Sequence, residues 1–433
     1  MRHLTIALPL ASTATASAGP AEVTQIFNDP TPVSKALAEG DVVTLRQLQA
    51  NASNEVVQKM AGAAERRVLL DLPGTRKASD ECIQVAQQAK HLAGLTVCGA
   101  LRAGAEAAAV DLPAWARLTV EAQERVRAAA GTRGKVLGTI DVFARVPDYP
   151  ELAARPVPTV REKANGHIAL HASTVQVAAG ESHDGGSVSY PNMANVEIEG
   201  KVAEVLVDTG SALTIVRPSA ITAPTLMEGF LLSGALGTSN ERSALAQPQT
   251  LKLGTLAISK PLISVSDKIP ASLLGLDVLS RLERVIITQD ELQPVASTST
   301  APACNSPLFS AADLSGTQTV PRLFITVNGR RQEAMLDTGN SSELVESLPL
   351  GSPLPPGPVL QSVVQGVQGQ QRRLSVQREV TVQTSSGPVK LQMTTSVGNH
   401  PTKTRYTLGA GSLRTLNIYL DFVDNKACLL SSK

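Results

Sequence analysis

An internal repeat in the C-terminal part of this 433-residue chain constrains its fold most strongly. The segment from Val196 to Ser211 aligns without gaps with the segment from Ile325 to Asn340. Each copy alternates apolar and polar residues, turns at Glu-Gly or Asn-Gly, and ends in Asp-Thr-Gly. This pattern predicts a β-hairpin whose second strand runs into the Asp-Thr-Gly loop. The chain is therefore expected to contain two related β halves.

Two further features recur in the same order in both copies. A Leu-Gly block follows each Asp-Thr-Gly sequence, and its distance from the aspartate is nearly the same in the two copies. Between the aspartate and the block, each copy has a Gly-x-x-Gly turn. Three shared features in one order argue against a chance match. The block contains Leu274 and Gly275 in one copy and Leu408 and Gly409 in the other, and the turns contain Gly234 and Gly237, and Gly366 and Gly369.

A hydrophobic strand that ends in Asp-Thr-Gly and is followed by a Leu-Gly block resembles the retropepsin-like aspartic proteases. Two such halves in one chain look like the pepsin arrangement, in which one polypeptide supplies both aspartates. The resemblance covers residues 166–433 and implies a mainly β, two-lobed fold with pseudo-two-fold symmetry. It places the first lobe at 166–293, a linker at 294–319 and the second lobe at 320–433.

The resemblance implies that Asp208 and Asp337 form the catalytic pair of an endopeptidase that needs no cofactor or metal. Two carboxyl groups in contact do not both ionise easily, so they share one proton. The ionised group then acts as the base toward water and the protonated group as the acid toward the substrate carbonyl. The substrate would be an extended peptide or protein.

Other residues take supporting roles by the same resemblance. Thr209 and Thr338 would bond across the two-fold axis, while Gly210 and Gly339 leave room for a tight loop. The Leu-Gly blocks would support the loops from behind, and the Gly-x-x-Gly turns would be flaps over the cleft. Ser211 fits the small hydroxyl residue that usually follows Asp-Thr-Gly, whereas Asn340 departs from it.

The two copies also differ in the Leu-Gly block. Asp277 follows Gly275 by two positions, whereas Gly411 stands at the corresponding place after Gly409. If Asp277 supports the first loop, the second half must manage without such a group. The second half is therefore where activity would first be lost. A protease-fold protein that binds peptides without cleaving them is the alternative.

Residues 28–150 predict an α-helical domain, because Ala, Leu, Glu, Gln and Lys recur there at helical spacing. Segments such as 34–50, 54–70, 79–93 and 119–130 are expected to be helices, with breaks at 71–74 and 111–113, where proline can open the next helix. A small bundle and a peptide-binding repeat array both fit this pattern. Two other roles follow for this region. It could bind a protein partner, or residues 19–165 could be a prosegment released near Arg155 or Arg161.

The N-terminus predicts export. Residues 1–18 combine an early arginine, a short apolar run and an Ala-Ser-Ala ending, which are the parts of a signal peptide. No later segment has the roughly 18 continuous apolar residues that span a bilayer. We therefore expect a periplasmic or secreted protein. Its four cysteines, Cys82, Cys98, Cys304 and Cys428, allow three pairings, of which the local one keeps each bond within one domain.

Composition excludes several other classes. The formal net charge is +1 and aromatic residues make up 3% of the chain, which argues against nucleic-acid binding. The six histidines are scattered and no Gly-x-Ser-x-Gly sequence is present, which argues against a serine hydrolase. The cysteine spacings match no zinc site.

Overall fold

The computed structural model describes residues 32–131, 146–177, 186–234, 237–296, 299, 302–366, 369–398 and 405–432. The predicted signal peptide, residues 1–18, lies outside these ranges. Within them, a helical N-terminal region precedes a mainly β C-terminal region, as the sequence predicts. The helices are α1 (Pro32–Ala38), α2 (Val42–Asn51), α3 (Glu55–Val68), α4 (Leu72–Gln88), α5 (Leu92–Ala108), α6 (Leu112–Ala130), α7 (Tyr149–Ala153) and α8 (Leu276–Leu279).

Helices α3 to α6 stack one on the next through evenly spaced turns. Leu70, Lys90 and Val110 each have a positive φ and end the preceding helix. The next residues, Asp71, His91 and Asp111, then cap the following helix by accepting a bond from a backbone N–H three positions on. This regular spacing favours a repeat array over an irregular bundle.

The predicted helix boundaries are wrong in two places. The expected helices 34–50 and 79–93 run through Gly40 and Lys90, whose positive φ values in fact turn the chain. Helix α5 was not among the expected helices. The Asp-Leu-Pro sequences at 71–73 and 111–113 open helices α4 and α6, as expected for proline at these breaks. Proline at the start of a helix loses no hydrogen bond, so it marks a beginning as readily as a break.

Three sheets form the described part of the C-terminal region. The strands are β1 (Thr159–Glu162), β2 (Ile168–Ala169), β3 (His171–Val177), β4 (Gly186–Ile198), β5 (Lys201–Val207), β6 (Ile215–Val216), β7 (Thr225–Gly234), β8 (Gly237–Ala246), β9 (Thr250–Leu253), β10 (Leu256–Ser259), β11 (Ile263–Val265), β12 (Leu273–Leu274), β13 (Arg284–Ile287), β14 (Glu291–Pro294), β15 (Phe309–Ala312), β16 (Thr319–Val327), β17 (Arg330–Asp337), β18 (Leu344–Leu348), β19 (Val359–Gly366), β20 (Gly369–Thr384), β21 (Gly387–Val397), β22 (Tyr406–Gly409), β23 (Leu416–Asp421) and β24 (Lys426–Ser431).

The sequence repeat is also a repeat of topology. In the first half the neighbouring strands run β4-β5-β12-β6-β11-β8-β7, and in the second they run β16-β17-β22-β18-β21-β20-β19. The parallel pairs correspond as well, since β5 pairs with β12 as β17 pairs with β22. Each aspartate loop therefore follows the same strand of its own half.

A third sheet, ordered β2-β14-β13-β23-β24, joins the two halves. Arg284 on β13 contacts Asp421 on β23 at 2.8 Å. One apolar core runs through this sheet and both halves, from Ile168 to Leu429. The halves are therefore fixed relative to each other.

Two disulfides follow the local pairing. Cys82 on α4 is bonded to Cys98 on α5, and Cys304 is bonded to Cys428 on β24. Such bonds persist in oxidising compartments, which supports an exported location. None of the described helices is both long and apolar enough to cross a membrane.

The helical array packs against both halves. Trp115 of α6 is fully buried, and its ring contacts Tyr149 of α7 and Phe230 of β7. Its indole N–H donates to the carbonyl of Ser315, 2.8 Å away, in the segment between β15 and β16. Phe309 of β15 joins the core of the array itself. One side chain thus connects the array to the first half and to the start of the second.

Candidate active site

The two repeated aspartates lie in adjacent loops between the halves. Asp208 follows β5 directly, and Asp337 is the last residue of β17. A Cβ atom on Gly210 would lie 2.7 Å from Asp337 Oδ1 and 3.1 Å from Asp208 Oδ1, so both carboxyl groups border this one glycine. Both aspartates are half-buried. The carboxyl groups therefore meet where solvent still has access.

Four hydrogen bonds lock the two loops together. The Thr209 N–H donates to Thr338 Oγ1 and the Thr338 N–H donates to Thr209 Oγ1, both at 3.0 Å. Thr209 Oγ1 in turn donates to the carbonyl of Leu336 at 3.1 Å, and Thr338 Oγ1 donates to that of Val207 at 2.7 Å. Both threonines are fully buried. Because each bond crosses between the halves, the carboxyl groups are held in register.

The glycines of both loops are required by the close approach of the carboxyl groups. A Cβ on Gly339 would lie 2.6 Å from Asp208 Oδ1, which is shorter than any normal contact. The Gly210 N–H donates to Asp208 Oδ1 at 2.8 Å, and the Gly339 N–H also bonds to Asp208. An alanine at either position would displace a carboxyl group.

Burial raises the pKa of the Asp208 carboxyl to about 8, with repulsion from Asp337 adding to the effect. Burial also raises the pKa of Asp337, while hydrogen bonds from Asp208, Gly339 and Asn340 oppose that change. The two groups hydrogen-bond to each other. Such a pair holds one proton over a range that extends well above the usual pKa of an aspartate.

Ser211 and Asn340 stabilise their own loops by different bonds. The Ser211 hydroxyl donates to the carbonyl of Leu213 at 2.7 Å. In the second half, Asn340 Oδ1 accepts a bond from the Ser342 N–H at 2.9 Å. Each residue thus bonds to a backbone atom two positions ahead. The asparagine is a change of chemistry at this position that still closes the turn.

The Leu-Gly blocks lie directly behind the loops. The Asp208 N–H donates to the carbonyl of Leu274 at 3.0 Å, and β22 pairs Leu408 with Leu336 and Gly409 with Asp337. A Cβ on Gly275 would lie 2.4 Å from the backbone of Leu213, and one on Gly409 would lie 2.3 Å from the carbonyl oxygen of Ser342. With glycine at these two positions, the backbone of each Leu-Gly block can contact the backbone that follows its aspartate loop.

Asp277 supports only the first half. It accepts a 2.7 Å bond from the Thr214 hydroxyl, which itself accepts a bond from the Gly275 N–H. Burial raises the pKa of Asp277 to about 6, against the hydrogen bonds from Thr214. In the second half a Cβ on Gly411 would lie 2.6 Å from the carbonyl oxygen of Ser341. The backbone there occupies the space that an aspartate side chain would need.

Asn192 is a site residue that the sequence reasoning missed. It is buried on β4, and its Nδ2 donates to the carbonyl of Val207 at 2.7 Å and to that of Thr338 at 3.1 Å. Nearby, burial and repulsion from Asp208 raise the pKa of Tyr190. Extending the gapless alignment of the repeat upstream would have revealed a difference here, because it sets Pro321 against Asn192.

The Gly-x-x-Gly turns close two long hairpins. Gly234 pairs with Gly237 between β7 and β8, and Gly366 pairs with Gly369 between β19 and β20. The two central residues of each turn lie outside the described part of the chain. In the described ranges, no group of three or more His, Cys, Asp or Glu residues is arranged to hold a metal ion.

Comparisons with known proteins agree with this geometry for the first half. Residues 189–287 match the model of the retroviral aspartyl protease family. The match includes Asp208 and the block at Gly275. The structure confirms the predicted fold class of a mainly β C-terminal region that follows a helical region, and the match indicates an aspartic protease-like domain over residues 189–287.

No curated protein sequence matches the chain. Among solved structures, the basic 7S globulin of soybean is similar at 13% identity with a TM-score of 0.34. That similarity covers 61% of this chain and 96% of the globulin. The second half, with Asp337, lies beyond the family match, so its assignment depends on the repeat and on the contacts between the loops.

Proposed function

We propose that the chain is an aspartic endopeptidase in which Asp208 and Asp337 activate a water molecule between them. The observation that carries this proposal is the meeting of two repeated carboxyl groups beside Gly210, with their loops locked by Thr209 and Thr338. The match of the first half to the retroviral aspartyl protease family supports the same reaction.

The chemistry follows from the shared proton. The ionised aspartate takes a proton from water as the water oxygen attacks the peptide carbonyl. The protonated aspartate gives its proton to the carbonyl oxygen, and a tetrahedral diol forms. Proton transfer to the amide nitrogen then allows the C–N bond to break and releases the two peptide products. Burial raises the pKa of both carboxyl groups, so the pair keeps its shared proton near neutral pH.

An extended peptide is the proposed substrate. The hairpins that end at Gly234–Gly237 and Gly366–Gly369 are the candidate flaps, and backbone pairing to them would hold the peptide in a strand-like form. The two disulfides support an exported enzyme, periplasmic or secreted. Both aspartates come from one chain, so the proposed enzyme needs no partner subunit.

The test compares cleavage of a peptide library by the wild type, Asp208→Asn and Asp337→Asn between pH 3 and pH 8. We expect each substitution to lower kcat/KM by about 10³-fold or more, because each removes the acid or the base. Asp267→Asn is the matched control, since Asp267 is an exposed aspartate outside the site. It should retain the wild-type rate.

Two results would count against the proposal. If the wild type cleaves nothing in this range, the protein is instead a peptide-binding or partner-binding member of the same fold. If either Asn variant keeps the wild-type rate, the paired mechanism is excluded. A latent enzyme would show a shortened species that gains activity, and intact-mass measurement during incubation detects it.

A further inference from the structure

Asn192 makes contacts that break the symmetry of the two catalytic loops. The threonine bonds are reciprocal, since each half gives and receives the same pair. Asn192 adds a connection that comes from the first half only. Its Nδ2 bonds to Val207, the residue before Asp208, and to Thr338, the residue after Asp337. One amide group therefore ties together the entry of one loop and the exit of the other.

The orientation of the amide follows from its neighbours. Both partners, Val207 O and Thr338 O, are carbonyl oxygens, so only the NH₂ end of the side chain serves them. The Oδ1 atom is buried and has no hydrogen-bond partner among the described residues. An unpaired buried oxygen costs free energy, which a purely structural site would avoid with an apolar residue.

The second half has no equivalent amide. Met193 pairs with Leu206 on β4–β5 as Arg322 pairs with Met335 on β16–β17, which aligns Asn192 with Pro321. Proline offers no donor. The carbonyl of Val207 thus accepts bonds from both Thr338 and Asn192, whereas no side-chain amide stands at the matching place near Leu336.

We propose that Asn192 is a positioning residue that sets the relative placement of the two aspartates and makes them chemically inequivalent. It acts through the backbone of the loops and does not touch the carboxyl groups in these contacts. The inference rests on the proposed peptidase function for its kinetic consequence. Its structural consequence, a change in how the pair titrates, is independent of turnover.

The experiment replaces Asn192 by Leu, which removes both donated bonds at similar volume. We expect kcat to fall about 10- to 100-fold with KM changed less than about threefold, because small displacements of catalytic groups act on the chemical step. Asn195→Leu is the matched control, since Asn195 lies on the same strand but is exposed. Thermal unfolding of each variant separates loss of activity from loss of fold.

Asn192→Asp gives a readout that simple loss of packing would not. A protonated carboxyl group at position 192 donates one hydrogen bond and an ionised one donates none. The kcat of Asn192→Asp relative to that of Asn192→Leu should therefore rise as pH falls. A flat ratio across pH would contradict the proposal. If Asn192→Leu does not fold, Asn192→Ser decides: one hydroxyl donor should give a kcat between those of the wild type and Asn192→Asp at neutral pH, and a wild-type kcat would overturn the role.

Isotope-edited infrared titration of the aspartate carboxyl groups distinguishes this inference from the proposed function. Asp208→Asn assigns the bands. A changed titration in Asn192→Leu, in a protein that cleaves no peptide, supports positioning while the peptidase proposal fails. An unchanged titration together with wild-type kcat overturns the positioning role and leaves the peptidase proposal intact.

Discussion

The two hairpins that end in Gly-x-x-Gly turns share their strand pairing but not their surroundings. On the first hairpin, Phe230 and Leu245 are buried in a cluster with Trp115 of the helical array. On the second, Val359 and Leu374 are 55% and 60% exposed. Strand order is therefore a property of the repeat, whereas the environment of each hairpin depends on the N-terminal region. The helical array is what makes the two halves unequal at their outer edge.

The same contrast appears at the centre of the molecule. The threonine bonds are symmetric, but Asn192 and Asp277 come only from the first half, with Pro321 and Gly411 at the corresponding places in the second. Symmetric contacts hold the two carboxyl groups together, and asymmetric ones distinguish them. Such a distinction suits a reaction in which one group gives a proton while the other receives one.

Among the substitutions that test the difference between the two hairpins, Trp115→Ala should have the largest effect on stability. We expect it to lower the free energy of unfolding by about 3–5 kcal/mol, because it empties a buried aromatic site and removes the bond to Ser315. Chemical denaturation measures the change. Leu374→Ala on the exposed second hairpin should change it by less than about 0.5 kcal/mol. Equal effects would mean that the hairpins do not differ as described.

Trp115→Phe separates packing from hydrogen bonding at the same position. It keeps an aromatic ring beside Tyr149 and Phe230 but loses the indole donor to Ser315. A cost of about 1–2 kcal/mol is expected, since one buried carbonyl loses its partner. If the cost equals that of Trp115→Ala, then the hydrogen bond accounts for the anchoring and the ring contacts do not.

Substitutions of Thr209 and Thr338 test whether Asn192 makes the two catalytic loops unequal. Thr209→Val and Thr338→Val each remove one donor and one acceptor from the fully buried lock, and each should cost about 2–4 kcal/mol in unfolding free energy. Thr338→Val should cost about 1 kcal/mol less, because Asn192 still donates to Val207. The same denaturation measurement decides the order. In an Asn192→Leu background the difference should vanish, and a persistent difference would exclude Asn192 as its cause.

The pH dependence of kcat/KM tests the raised pKa values of the two carboxyl groups. With one shared proton and a pKa of about 8 at Asp208, kcat/KM should decline above pH 8 by about tenfold per pH unit. Because burial raises both pKa values, the acid limb should also lie above the usual range of an aspartate. A pH–rate profile measures both limbs. An enzyme that is active only below about pH 5 would contradict these assignments.

The raised pKa of Asp208 should also make the free energy of unfolding depend on pH in a definite direction. The pKa of Asp208 is higher in the folded state than in the unfolded chain, so its contribution is fully present below the unfolded value near 4 and is lost as pH rises through 8. Asp208→Asn should therefore flatten the fall in unfolding free energy between these pH values. If the wild type and the variant show parallel curves, the raised pKa is excluded.

The sequence predicted the repeated part of the molecule well and the helical part less well. The Asp-Thr-Gly hairpins and Leu-Gly blocks occur where expected, because alternation of apolar residues and glycine at close backbone contacts are local signals. The expected helix 79–93 ran past the end of α4 because Lys90 and His91 look like ordinary helix residues. Only the positive φ of Lys90, which local composition does not reveal, turns the chain there.

By itself, the sequence determined that two related halves each present an aspartate after a buried strand. The physical reason is that β-hairpins and glycine loops are specified by residues close together in the chain. Only the tertiary structure decided that Asn192 spans both loops, that Asp277 supports one of them, and that Trp115 anchors one hairpin. These contacts join residues distant in sequence, and their partners are mostly backbone carbonyls or aromatic rings that carry no local pattern.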